Sequence, residues 1–211
     1  MFVGELVGVL VGVLVGVLVG VGGSTKPKSY EALAGSVSGL ASSVMSVWPL
    51  MSVAVSPAGL PESIFGMVFT LNTLMIVAIE VPLNTATAHW SHRRTLMLGA
   101  LLYAIGFGSY AIVTGASGVF AGVVIWTFGE MILLPGSSAY AAEIAPPERR
   151  GEYMGAYTMS FGIAFSLGPF LGAELLQRWG PHVLWGTAFA SGMISTILMS
   201  RIGSNSGQRT A

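Results

Sequence analysis

The sequence predicts an all-α membrane protein, a bundle of six transmembrane helices preceded by an apolar N-terminal repeat that is a candidate for one more. Three observations predict it. Only 9% of the 211 residues are charged while 53% are hydrophobic, and mean hydropathy is +0.76, whereas about a quarter of the residues in soluble domains carry charge. Apolar stretches roughly 20 residues long recur, and a helix of that length, rising about 1.5 Å per residue, crosses the roughly 30 Å hydrocarbon core. Basic residues gather in alternate connections, as they do when one set of loops is cytoplasmic. Within hydrocarbon such stretches must be helical, because an unpaired backbone amide there costs several kcal/mol.

The elements follow in chain order. Residues 1–23 form a low-complexity repeat in which Gly4, Gly8, Gly12, Gly16 and Gly20 recur at a spacing of four, which sets them near one stripe of a helix. One reading is a close helix-packing face of the GxxxG kind; the other is a short-unit repeat expansion apolar enough to insert. A secretory signal fits less well, since no basic residue precedes the apolar run. Residues 24–31 are a polar linker containing Lys26, Pro27 and Lys28.

The bundle is expected over 32–200, as six spans: Ala32 to Val55, rich in Ser and Gly; Ile64 to Ala88, ending at the basic turn HWSHRR; Thr95 to Thr114; Val119 to Ile144; Tyr153 to Leu176; and Val183 to Ser200. The link GASG separates the third span from the fourth. APPERRGEY stops the fourth, because adjacent prolines remove donors and oppose helix continuation. QRWGPH turns the chain into the last span, and 201–211 form a polar tail.

Placing Lys26 and Lys28 inside puts Arg93, Arg94, Arg149, Arg150, Arg201 and Arg209 inside as well, eight of the nine basic residues, with Arg178 outside. The expectation is a multi-pass protein of the cell inner (plasma) membrane with its basic loops and C-terminus cytoplasmic. Net charge is zero and no GxxxxGK[ST] loop is present, so neither nucleic-acid binding nor ATP-driven chemistry is expected. With no cysteine and only His89, His92 and His182 scattered along the chain, neither a metal site nor a cofactor is expected.

Chemistry is sought among polar groups inside the spans. Glu130 sits mid-span in WTFGEMILLPG, where a carboxylate costs a few kcal/mol or more unless it is protonated, paired or facing water. It is either a protonatable or substrate-contacting group or a structural carboxyl bonded to a neighbouring helix. Pro135, with Gly129 and Gly136, weakens that helix locally, as in segments that line cavities. Glu80, followed by Pro82, offers a proton relay or a structural or gating contact, and Asn72 offers a bond to substrate or to a neighbouring helix. Trp126 and Tyr140 are candidates to line a cavity, the alternative being packing or interface anchoring.

In SFGIAFSLGPFLGAELL, Gly162, Gly168, Pro169 and Gly172 are helix-interface or gating candidates, since the glycines permit close approach and Pro169 removes a backbone bond. Arg93, Arg94, Arg149 and Arg150 either clamp helices through Glu143, Glu148 or Glu152, or set topology at the lipid headgroups.

At these residues a family resemblance enters. APPERRGEYMGAYTMSFGIAFSLGPFLGAELLQRWG resembles the penultimate cytoplasmic loop and helix of major facilitator superfamily transporters, the multidrug-efflux-like members in particular. LPESIFGMVFTLNTLMIVAIEVPLNTATAHWSHRRTLMLGALLYAIGFG is similar to the eighth helix, basic loop and ninth helix of that family. The likeness covers about Leu60 to Ser200, with Ala32 to Val55 as a degraded-looking seventh helix. It implies a C-terminal half, the MFS-type C-terminal bundle. It also implies alternating access between two six-helix bundles, with substrate between them and a cation gradient as the energy source.

In that reading Glu130 is the leading group for coupling or cargo binding. Gly168, Pro169 and Gly172 match a GPxxG element at the bundle interface, and Arg93 and Arg94 match the end of the basic loop motif. The acidic residue that normally precedes the motif's basic pair has no counterpart in WSHRR, so an acid-dependent clamp is not expected in this loop.

The expected partners are the lipid bilayer, a small-molecule substrate and protons. Between Met1 and Lys28 there is room for a single helix, so a second copy or a missing N-terminal half is expected to complete the pathway. The functional expectation is proton-coupled export of a small hydrophobic or drug-like molecule. Its rival is a truncated or non-transporting membrane fragment or partner subunit. No nucleophile and base stand paired in the sequence, which disfavours an intramembrane enzyme.

Overall fold

A computed structural model describes residues 60–200. The N-terminal repeat, the linker, the Ala32 to Val55 span and the polar tail lie outside the described residues, and so does the test of a sixth span. The described chain is helical, with no strand among the described residues. Helix α1 spans Glu62–Thr87, α2 His92–Ser109 and α3 Ala116–Glu143. A 3-10 turn, Pro147–Arg149, then leads into the run Arg150–Ser200. That run is broken at Gly180, whose φ of 80° and ψ of 179° divide it into α4 (150–179) and α5 (181–200).

The helix ends have local causes. Gly180 adopts a backbone conformation nearly closed to residues with a Cβ, and Pro181 follows at the first helical position, where a missing N–H costs nothing. This is the break expected at QRWGPH. Gly115, with φ 85°, makes the same kind of turn into α3. Pro82, Pro135 and Pro169 instead lie inside continuous helices.

Three helical runs, Glu62–Thr87, Ala116–Glu143 and Pro147–Ser200, are long and apolar enough to cross a membrane. Helix α2, with 18 residues, is about 27 Å long at 1.5 Å per residue.

The tightest seam joins α2 and α3, and glycines make it. Gly99 and Gly106 lie seven residues apart on α2, and Gly122, Gly129 and Gly136 recur at the same interval on α3. A Cβ on Gly99 would meet Leu133 at 2.9 Å, one on Gly106 would meet Trp126 at 2.5 Å, and one on Gly129 would meet the Tyr103 backbone nitrogen at 2.7 Å. At Gly122 the obstacle is Tyr110 and at Gly136 it is Thr95. The pairs run in opposite order along the two helices, which are therefore antiparallel.

An aromatic core closes this seam between the C-terminal half of α2 and the N-terminal half of α3. Phe107 stacks on Trp126 at 5.1 Å, and Tyr110 lies 4.8 Å from Trp185 of α5. Helix α5 reaches α2 through Phe189 against Gly108 and Gly192 against Ala104. Helix α4 meets α3 where the Tyr157 hydroxyl bonds Ser137 Oγ at 2.8 Å.

Helix α1 leans chiefly on α3, burying Val68, Asn72 and Met75 at the i, i+4, i+7 spacing of one helical face. Its other side exposes Leu74, Val77 and Val81, and Ile112 and Phe170 are likewise exposed elsewhere on the surface. Contiguous exposed apolar surface of this kind suits a lipid or partner-helix environment rather than water.

Candidate transport site

Asn72 carries the polar chemistry of α1. Its side chain is 4% exposed, and its amide Nδ2 donates to Thr127 Oγ1 at 3.1 Å and to Glu130 Oε2 at 3.0 Å. Thr127 and Glu130 are three residues apart on α3 and so share one face. Thr127 is fully buried, whereas Glu130 is half-buried at the edge of the seam. The bond to the carboxylate is charge-assisted while Glu130 is ionised, the stronger class of hydrogen bond.

Glu80, two turns further along α1 and also half-buried, lies within electrostatic reach of Glu130. Tyr103 of α2 does so as well. The site is thus a seam between α1 and α3 holding one acid in a hydrogen-bonded pair and a second acid nearby. Chemically it can take up a proton or hold a cationic group.

The structure brings together Asn72 and Glu130, with Glu80 near them, and separates Trp126 and Tyr140 from that cluster. Trp126 is 2% exposed within the aromatic core, and its indole N–H donates to the Tyr110 hydroxyl at 3.0 Å. Tyr140 is buried near the C-terminal end of α3, its ring 5.2 Å from that of His92. In α4, Gly168 and Gly172 are buried, Pro169 is half-buried and Gly162 is exposed. Among the described residues, nothing would meet a Cβ on Gly162 within 4 Å.

Of the loop arginines, Arg93, Arg94 and Arg150 are exposed. Arg149 bonds Glu152 three residues ahead at 2.9 and 2.8 Å, and this bonding raises the pKa of a guanidinium that is charged in any case. Glu143 takes His92 instead, Nε2 to Oε2 at 2.7 Å, tying the start of α2 to the end of α3.

Thr127, Tyr103 and the His92–Glu143 bridge were not singled out from sequence. Thr127 had a usable signal, since a hydroxyl three residues before an intramembrane acid must share its face. The seven-residue glycine interval was the corresponding signal for the α2–α3 seam. His92 had none, because its partner lies 51 residues away.

A family model described as Major Facilitator Superfamily matches residues 32–205. The chain belongs to that superfamily. Its members are multi-pass membrane transporters, not enzymes, so a lipid bilayer is the setting of these helices.

An uncharacterized MFS-type transporter, MJ1560, of Methanocaldococcus jannaschii is 24% identical over 132 residues, covering 63% of this chain and 34% of its own length. YqjV of Bacillus subtilis, also an uncharacterized MFS-type transporter, is 26% identical over 117 residues, or 56% of this chain and 28% of its own. YdeE of Escherichia coli, described likewise, is 24% identical over 155 residues, or 72% and 38%. The chain spans about a third of the length of the curated relatives it matches. A solved POT family transporter in complex with 5-aminolevulinic acid shares the fold, with a TM-score of 0.62 at 14% identity over 92% of this chain and 46% of that one.

Proposed function

We propose that this chain is the C-terminal bundle of a proton-coupled secondary transporter in the plasma membrane, exporting a small hydrophobic or drug-like molecule. The observation that carries the reading is Glu130, an acid inside an apolar span, held by Asn72 across the α1–α3 seam. An intramembrane carboxyl is costly, and such groups commonly mark ion or substrate pathways. Glu80 within electrostatic reach gives a proton a second acceptor on the same seam. In this reading the N-terminal half, or a second copy, supplies the opposite wall of the pathway, and the basic loops after α1 and α3 face the cytoplasm.

The test is proton-driven transport in proteoliposomes of defined stoichiometry, comparing the intact chain with Glu130→Gln. The reading expects a pH gradient to drive flux in the intact chain and not in the variant. Unchanged pH dependence in the variant removes Glu130 from coupling.

A second reading is a truncated or non-transporting membrane fragment or partner subunit. In that case flux is absent from the intact chain under every condition and returns on adding the complementary bundle.

A further inference from the structure

We infer that the Asn72 side-chain amide is a proton-responsive positioning group, reversing its orientation when Glu130 takes up a proton. The inference rests on the reading of Glu130 as the protonatable group, and it names what makes the α1–α3 seam respond.

Asn72 Nδ2 has two hydrogens, and one goes to Thr127 Oγ1 and the other to Glu130 Oε2. An ionised carboxylate only accepts, so this orientation of the amide is the one it requires. A proton on Oε1 would leave Oε2 an acceptor, but one on Oε2 turns the atom that faces Asn72 into a donor, and two donors then meet. Rotating the amide by half a turn replaces Nδ2 with Oδ1, which accepts from the new Glu130 hydroxyl. The same Oδ1 has a second lone pair for Thr127, and a threonine hydroxyl both donates and accepts. Thr127 therefore reverses from acceptor to donor without moving.

Each state keeps two hydrogen bonds across the seam, whereas protonation at Oε2 with a fixed amide leaves an acid hydroxyl facing the donor of the buried Asn72. The two states differ in strength, because only the ionised one has a charge-assisted bond. Proton uptake thus loosens the hold of α3 on α1, a helix with little other packing among the described elements. Among the described residues, the titratable groups within electrostatic reach of Glu130 are Glu80 on α1 and Tyr103 on α2. Neither is hydrogen-bonded to Asn72, so they bias the equilibrium without carrying the reversal.

The experiment is difference infrared spectroscopy of the full chain in proteoliposomes with isotope-labelled asparagine, across roughly pH 4 to 10, which spans ordinary carboxyl and phenol pKa values. The chain has three asparagines, Asn72, Asn84 and Asn205, so the Asn72 band is assigned by its loss in Asn72→Leu. The protonated-carboxyl band of Glu130 is assigned by its loss in Glu130→Gln.

The expected result is that the two bands change together with a single midpoint. Thr127→Ser retains the Asn72 shift, and Thr127→Val, which removes one of the two reversing bonds, diminishes it. Asn72→Leu alters the proton affinity of Glu130 about tenfold, the worth of a hydrogen bond to a charged group. An Asn72 band that stays fixed while Glu130 titrates overturns the amide reversal and leaves the coupling reading intact. A Glu130 band that does not titrate at all overturns both.

Discussion

Substituting Gly106 by alanine tests whether the α2–α3 seam is as close as its glycines make it. The added Cβ would stand 2.5 Å from Trp126 Cβ and 2.6 Å from the Trp126 backbone nitrogen. Carbon atoms pack best at about 3.5–4.0 Å, so the helices must part by roughly 1 Å. Backbone is the obstacle, and no side-chain rotation relieves it. Overpacking of this kind costs about 1–3 kcal/mol, against which alanine recovers up to about 1 kcal/mol of helix propensity.

Gly162→Ala is the matched control, since its Cβ meets nothing within 4 Å among the described residues and only the propensity gain remains. The two variants should therefore differ by about 1–3 kcal/mol, and at about 2–4 °C per kcal/mol for a chain of this size the gap in Tm is about 2–12 °C. Thermal unfolding of both in the same detergent, followed by loss of the monodisperse chromatographic peak, measures it. Equal Tm values, or a larger loss at Gly162, would refute the reasoning.

Ser137→Ala removes the partner of the buried Tyr157 hydroxyl, and leaving that group unsatisfied should cost about 1–3 kcal/mol in an unfolding titration. Trp126→Tyr at the aromatic core deletes the indole N–H that donates to Tyr110, with an expected loss of at least about 1 kcal/mol by the same titration. Glu143→Gln weakens the bridge to His92 at the partly exposed ends of α2 and α3. Its effect on unfolding free energy should stay within about 1 kcal/mol, as for other solvent-screened pairs.

Helix identity was legible because lipid leaves the chain few alternatives. Ile64 to Ala88, Val119 to Ile144 and Val183 to Ser200 were read from apolar length alone, and they coincide within a few residues with α1, α3 and α5. The third span, Thr95 to Thr114, was placed too far along the chain. Its helix begins at His92, among polar residues that hydropathy discounts, and ends at Ser109, before the turns leading to Gly115.

The site was legible in part. Cost singles out Glu130 and Glu80, since an acid in a span needs a reason, but nothing in the local sequence says that Asn72 is the residue reaching Glu130, 58 positions away. Which way an aromatic residue faces is equally a tertiary matter. Trp126 is four residues from Glu130 and yet packs into the core around Phe107. The seven-residue glycine interval of α2 and α3 is present in the sequence, whereas GPFLG in α4 is the more conspicuous pattern because it contains proline.

The claim on which the rest depends is that successive helices cross a bilayer with the α1–α2 and α3–α4 turns on the cytoplasmic side. The protein has no cysteine, so single cysteines at Ser91, Glu148, Ser117 and His182 can be labelled one at a time with a membrane-impermeant thiol reagent. The account predicts that Ser91→Cys and Glu148→Cys react only from the cytoplasmic face, and Ser117→Cys and His182→Cys only from the outer face. Labelling of Ser91→Cys and Ser117→Cys from the same face would contradict it.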